Sequence, residues 1–573
     1  MCRRIITTLI IVFVSFSIHS NSSLPIIEYS SINHPVISKT GMVVSQRQSA
    51  SEVGARILRK GGNAVDAAVA TGLALSVVLP RAGNLGGGGF MVIYLKDIDQ
   101  TITIDYREKA PSAAHRDLFL DEKGNYDKQK AQFSLLSAGV PGTVAGLHRA
   151  LTKYGTMTWQ EVLEPSIKLA EEGFVVPHDL ANILASPRYK QRLSSNDAAA
   201  KSYYKSDKSN YQAGEILKLP DLAWTLKQLS VNGPDAFYKG EIAKKIVKEM
   251  ERNGGLISAE DLKNYIPVER SPVEGTYKEF KIVSMPPASS GGIHLIQMLN
   301  MIEEFPIKDM GFGSADSIHI LAEVMKRAYA DRSKHLGDMD FYDVPFSLIS
   351  KEYSSFLNEG ISVNSRTASS DIFAGDPYPY ESPDTTHFSV MDQYGNAVSN
   401  TYTLNFSYGS GIMIPGTGML MNNEMDDFSS KPGIPNGYGL LGSQANSIQA
   451  NKRPLSSMTP TIIFKDNKPY LVLGSPGGSR IITTVLQVAL NVMEHDMNVA
   501  QAVNSPRIHH QWLPEVLMME KGFGPDTEKL LQEKGYKLYP SSTMGSVQAI
   551  IKDGEYFYGA ADPRRPSSGA VAP

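Results

Sequence analysis

Two hydrophobic spacings divide the chain. Through most of the first two thirds apolar residues recur at helical intervals; from residue 385 onward they alternate with polar ones, as on strands. The stretch "SASEVGARILRKGG" predicts a helix with a Ser49 to Glu52 capping box and a stop at Gly61-Gly62. An Ala-rich helix, "NAVDAAVATGLALSVVLP", follows and ends at Pro80. Next, "RAGNLGGGGFMVIYLKD" and "QTITIDYREKAP" read as a glycine loop feeding two strands, the second carrying Arg107 and Glu108. Residues 135 to 265 are mostly helical by pattern, and "SADSIHILAEVMKRAYADRSKHLGD" is a further amphipathic helix. The segment from 351 to 384, rich in Ser, Asp, Pro and Tyr, has no period and predicts an exposed loop suited to cutting.

Hairpins dominate the rest. "TTHFSVMD", the turn "QYGN" and "AVSNTYTLN" form the first; "TPTIIFKDNKPYLVLG" turns at "DN"; "SVQAIIKDGEYFYGAAD" turns at Asp553-Gly554. Between the last two, "SPGGSR" leads directly into the apolar helix "IITTVLQVALNVMEHD". Helices and antiparallel hairpins sharing one core predict an α+β fold with helix-covered sheets.

Composition then narrows the chemistry. At 573 residues, 42% hydrophobic with net charge -3, the chain can bury a large core and carries no bias toward nucleic acid. Arg3 and Arg4 precede an apolar run, Ile5 to about Ile18, and small polar residues follow, as in a secretory signal. The run is too short for a stable membrane span. Residues 1–20 are therefore expected to direct export, to a periplasm or outside the cell. The scarcity of N-glycosylation acceptors, Asn21-Ser22-Ser23 and Asn405-Phe406-Ser407, suits a periplasm. The single cysteine, Cys2, lies in this leader. Disulfides, thiolate nucleophiles, iron–sulfur clusters and Cys-rich zinc sites are thus excluded from the mature chain.

Candidate chemistry emerges by elimination. The four glycines Gly86 to Gly89 run into a strand, not a helix, which argues against phosphate binding. There is no Gly-x-Ser-x-Gly elbow and no His-Glu-x-x-His. The adjacent pair His509-His510 would face opposite ways on a strand, so it reads as buried structure. Amides at Gly477 and Gly478, where a strand gives way to a helix, suit an oxyanion; a plain tight turn explains the two glycines equally. A threonine hydroxyl needs a base beside it. An N-terminal threonine has one in its own α-amine, of pKa about 7.7–8.0. Cutting before Thr385, at the start of a strand and the end of an exposed loop, would create that arrangement, although a doubled threonine is also ordinary strand material.

These residues carry a family resemblance. "TTHFSVMDQYGNAVSNTYTLNFSYGSG", "MNNEMDDFS", "NKRPLSSMTPTI", "GSPGGSRI" and "RIHHQWLPE", with "GGNAVDAAVA", "GNLGGGGFM", "DYREKAP" and "PGTVAG" earlier, resemble γ-glutamyltranspeptidases of the N-terminal nucleophile hydrolase superfamily. The resemblance implies a four-layer αββα sandwich built jointly by a large subunit, 21–384, and a small catalytic subunit, 385–573. It implies Thr385 as nucleophile, Thr403 as the residue orienting it, and Gly477 and Gly478 as the oxyanion hole. Arg107, Ser456 and Ser457 would hold the substrate's α-carboxylate, and Asn405, Glu424 and Asp427 its α-ammonium. Tyr438 would cover the site from the segment "SKPGIPNGYGLLG", with Gly433, Gly437 and Gly439 permitting motion. Charge logic agrees, because a cation and hydroxyls suit a carboxylate while carboxylates and an amide oxygen suit an ammonium. Donors would be glutathione or glutamine and acceptors water, amino acids or peptides, with no metal or organic cofactor. Position 424 is Glu where some relatives carry Gln, and Asp384 before the cut is not required by the mechanism. The rivals are another acylase of the same fold, which would have no use for the ammonium clamp, and a non-catalytic exported binding protein.

Overall fold

The computed structural model describes residues 31–373, 385–431 and 434–573. The leader with Cys2 and Asn21, the end of the predicted loop with Asp384, and Gly433 lie outside the described residues.

Two seven-stranded antiparallel sheets stack face to face. The first runs Gly569–Val571, Gly41–Ser45, Thr385–Asp392, Ala397–Thr403, Gly88–Leu95, Gln100–Asp105 and Val268–Arg270. The second runs Val36–Ser38, Tyr556–Ala561, Gln548–Asp553, Lys468–Gly474, Thr461–Lys465, Phe280–Ser284 and Val273–Tyr277. Each sheet contains strands from both sides of position 384.

Strand parity shows why four layers form. Met42, Val44, Val92 and Tyr94 pack with Ile462, Val472 and Ile550 between the sheets. Their neighbours Val43, Met91 and Ile93 point the other way, into a core with helices Gln48–Arg59, Ala64–Val78 and Thr143–Tyr154. On the second sheet Ile463, Leu471, Leu473 and Ile551 pack with helices Gly291–Ile302, Ala315–His335 and Ile481–Met493. A strand buried on both faces must be apolar at consecutive positions, and these are. The αββα order predicted from the resemblance is the observed one.

Local expectations hold with four corrections. The Ser49–Glu52 box does not form: the helix begins at Gln48, which puts Ser49 inside the first turn, and Glu52 instead accepts from Gln48 Nε2 at 3.1 Å. The next helix has the reciprocal box, Asn63 with Asp66. The strand meant to carry Arg107 and Glu108 ends at Asp105, so both stand just past its tip. Within the supposed loop, Lys351–Asn358 is helical, started by Ser350 accepting from Tyr353 N at 3.1 Å and held by Tyr353 and Leu357 against the core. The last hairpin turns at Gly554-Glu555, because Asp553 still pairs with Tyr556. The "DN" hairpin turns as expected, with Asp466 and Asn467 at φ of 50° and 58°.

The glycine run serves close packing. A Cβ on Gly87 would lie 2.0 Å from the Thr403 carbonyl oxygen, and one on Gly86 would lie 2.2 Å from that of Leu420. Gly88 and Gly89 already belong to the strand paired with Thr403 and Tyr402. Side chains there would push away the backbone that holds the candidate site.

Candidate active site

Thr385 opens the strand Thr385–Asp392 and stands opposite Thr403 in the pairing of the two central strands. Alternate residues Thr385, His387, Ser389 and Met391 face the second sheet, whereas Phe388 and Val390 face the helices. Parity therefore separates the doubled threonine: Thr385 is the member on the inner face. Its hydroxyl donates to Thr403 Oγ1 at 3.4 Å, and Thr403 Oγ1 also accepts from Asn405 N at 2.8 Å. Thr403 is fixed in turn, because its carbonyl accepts from Asn84 Nδ2 at 2.9 Å.

Below the threonines, polar residues replace the apolar filling between the sheets. His387 bonds Thr401 Oγ1 at 2.8 Å and Ser389 Oγ at 3.0 Å, and burial pushes its pKa down to about 3. It is a neutral crossbar between strands.

Nine of the eleven predicted residues line one small cavity, about 20 Å³: Thr385, Thr403, Arg107, Glu424, Asp427, Tyr438, Ser456, Ser457 and Gly478. The other two adjoin it. Gly477 precedes Gly478, and Asn405 ties Thr403 to Tyr438, whose hydroxyl donates to the Asn405 carbonyl at 2.8 Å. A much larger groove, about 840 Å³ and lined by Phe133, Arg188 and Arg192 among others, contains none of the predicted residues. Its size marks no chemistry.

The cavity's acidic side is tightly wound. Arg107 donates through Nη1 to Glu424 and through Nη2 to Asp427 at 2.6 Å, and Glu108 lies 3.8 Å away. Burial opposes Arg107's charge, but these three carboxylates hold it firmly cationic. Burial likewise pushes the Glu108 carboxyl up to about 7, Glu424 well above its usual range and Asp427 upward, against the pull of Arg107. Three acids crowd one cation. Glu424 Oε2 and Asn405 Oδ1 are buried without a hydrogen-bond donor among the described residues. Acceptors and excess negative potential together suit a second, incoming cation.

Opposite lie the serines. Ser456 is strapped to the turn before helix Gly291–Ile302: its carbonyl accepts from Ser290 N at 2.8 Å and Ser290 Oγ at 2.7 Å. Ser457 Oγ accepts from Arg332 Nη2 at 3.1 Å. Gly477 and Gly478 have φ of 139° and 55°, open a short 3₁₀ turn and lead into helix Ile481–Met493. Gly478 and Ile481 at that helix start border the cavity, where the positive dipole end of a helix suits an oxyanion. Tyr438 packs on Gly478 so closely that a Cβ there would meet its ring at 2.4 Å.

Two residues with a part in the site escaped the sequence reading. Asp426 accepts from Tyr126 Oη at 2.7 Å, Gln132 Nε2 at 3.3 Å and Gly437 N at 2.9 Å, and so anchors the segment carrying Tyr438. Its place between two predicted ligands was the available clue. Arg332 lies in the last turn of helix Ala315–His335, where basic residues are ordinary. His509 and His510 are buried, His509 between Thr483 and Gln511, as ordinary structure.

The model of the Gamma-glutamyltranspeptidase family matches residues 50–572. The chain is 51% identical to the "Glutathione hydrolase proenzyme" of Escherichia coli strain K12 over 568 residues, 98% of this chain and 97% of that one. Among solved structures it resembles Helicobacter pylori gamma-glutamyltranspeptidase, with TM-score 0.57 and 44% identity over 59% of this chain and 96% of that one. The cephalosporin acylase of Bacillus halodurans superimposes with TM-score 0.82 at 25% identity, over 95% of this chain and 98% of that one.

Proposed function

The chain belongs to the γ-glutamyltranspeptidase family and is a γ-glutamyltransferase and glutathione hydrolase, and from that premise we infer that Thr385, freed by cleavage after Asp384, is its nucleophile. The carrying observation is the register that sets Thr385 against Thr403 on the inner face, beside a cavity with cationic and acidic walls.

Before cleavage the Thr385 hydroxyl attacks the Asp384 carbonyl carbon; the peptide C–N bond breaks as an ester forms, the departing Thr385 nitrogen takes the hydroxyl proton, and water hydrolyses the ester to the Asp384 carboxylate and the free hydroxyl. This leaves the large subunit, 21–384, and the small subunit, 385–573. In turnover the freed α-amine takes the hydroxyl proton while Oγ1 attacks the γ-carbonyl carbon of glutathione or glutamine. Amides at Gly477 and Gly478 meet the oxyanion. Collapse breaks the C–N bond, the leaving amine takes the proton, and a γ-glutamyl ester of Thr385 remains. Water or an acceptor amine then attacks that ester, its proton passing through the α-amine, and Thr385 is released.

Specificity comes from gripping the far end of the glutamyl group. Asn405, Glu424 and Asp427 receive the ammonium, and Arg107, Ser456 and Ser457 the carboxylate. An ammonium between Glu424 and Asp427 supplies the second cation that their raised pKa values call for. Tyr438 closes over the bound group. An acylase acting on glutaryl amides, whose acyl group has a carboxylate but no ammonium, would have no use for Asn405, Glu424 and Asp427, which disfavours that rival. Residues 1–20 export the chain, to the periplasm or beyond; among the described residues no helix is long and apolar enough to cross a membrane.

N-terminal sequencing of the smaller fragment from purified protein tests this reading. The expected first residue is Thr385, and Thr385→Ala is expected to give one uncut, inactive chain. A start elsewhere, or an active Thr385→Ala, would overturn it.

A further inference from the structure

The carboxylate side of the site has a cation that no residue role accounts for. Arg332, in the last turn of helix Ala315–His335, is only 4% exposed and borders the same cavity as Thr385 and Ser457. Its guanidinium donates through Nε to Ser290 Oγ at 2.9 Å and through Nη2 to Ser457 Oγ at 3.1 Å. Both partners are neutral hydroxyls; among the described residues no carboxylate pairs with it. Arg107 is the reverse case, bound to Glu424 and Asp427 with Glu108 beside it.

A buried guanidinium without a counter-ion is costly to maintain. Burial accordingly lowers the Arg332 pKa to about 10, against the pull of Tyr329 and Asp427 and with Arg107's charge adding a little to the fall. An anion delivered to Ser457 would relieve that cost, and the hydrogen-bond directions prepare for one. Ser457 Oγ accepts from Arg332, so its own proton is turned away and free to donate. Ser290 Oγ accepts from the same guanidinium and donates to the Ser456 carbonyl, holding the backbone next to Ser457.

We propose that Arg332 is the positioning residue that selects the donor's α-carboxylate, orienting the Ser457 hydroxyl and adding its positive charge to that of Arg107, which Glu424 and Asp427 partly neutralise. This rests on the γ-glutamyl reading above and extends its carboxylate subsite by one residue.

The test compares wild type, Arg332→Gln and Arg332→Lys on two chromogenic donors, a γ-glutamyl anilide and the γ-aminobutyryl anilide that lacks only the α-carboxylate. With the γ-glutamyl donor, Arg332→Gln is expected to raise KM about 10- to 100-fold, the range for a lost charge-assisted hydrogen bond, with kcat within about twofold. Arg332→Lys should recover most of that loss. The γ-aminobutyryl donor should show the same kcat/KM in all three proteins. Equal losses on both donors would mean Arg332 only supports the fold and would overturn the proposal, as would an unchanged KM. Should Arg332→Gln fail to mature, Arg332→Lys alone decides: a rise in KM of a few fold on the carboxylate donor only supports the role, and no selective rise refutes it. Wild type inactive on the γ-glutamyl donor would instead refute the underlying reading, and the proposal with it.

Discussion

At the scale of single residues, what decides the site is which way each side chain points and what charge it meets. Thr403 offers the Thr385 hydroxyl a partner oxygen, itself held by Asn405 N. Thr403→Val removes that oxygen at nearly constant volume and is expected to lower kcat about 10- to 100-fold, with Thr403→Ser close to wild type; steady-state kinetics on the cut enzyme checks both. Asp426 supports a pH prediction. Its burial outweighs its three donors and pushes its carboxyl up to about 7 from an ordinary value near 4. Between those pH values the folded chain holds a proton that the unfolded chain has lost, so this group's contribution to stability falls as pH rises from about 4 to about 7 and then levels. Relative to wild type, Asp426→Asn should therefore gain in melting temperature across that window, and thermal unfolding at several pH values measures it. Thr385 was a candidate from strand and loop chemistry, while Thr403 and the charged clamp entered through the family resemblance, whose separate motifs the fold brings to one cavity. Arg332 and Asp426 were not legible, because each acts through a neighbour that only folding brings near.

At the scale of elements, the hairpins were read correctly, save a one-residue shift in the turn of the last, because alternation and turn residues are local signals. Boundaries failed where a competing start existed, as at Gln48, or where a short capped helix sat inside a polar stretch, as at Lys351–Asn358. The glycine run was legible as a feature but not in purpose, since the Thr403 carbonyl against Gly87 comes from more than 300 residues away in sequence. Gly87→Ala places a Cβ 2.0 Å from that carbonyl, and backbone must move to accept it. The expected result is a destabilisation of about 1–3 kcal/mol, typical of overpacking, together with slower self-cleavage. Melting temperature and the rate of fragment appearance on gels report the two effects.

At the scale of the whole molecule, each sheet is woven from segments on both sides of the proposed cut. Thr385–Asp392 lies between Gly41–Ser45 and Ala397–Thr403, and Thr461–Lys465 pairs with Phe280–Ser284. That interleaving is beyond any local pattern and entered only through the family resemblance. Separating the fragments would expose two sheet cores at once, so the cut protein should elute as one particle and unfold in a single transition. Fragments that separate in native buffer would contradict the shared core.

The central claim is that freeing the Thr385 nitrogen makes its hydroxyl catalytic. Freshly made precursor, sampled over time for both the cut fraction and the rate of γ-glutamyl release, tests it most directly. Activity is predicted to rise in proportion to cleavage from a baseline near zero. Full activity while the bond before Thr385 is still intact would contradict the account.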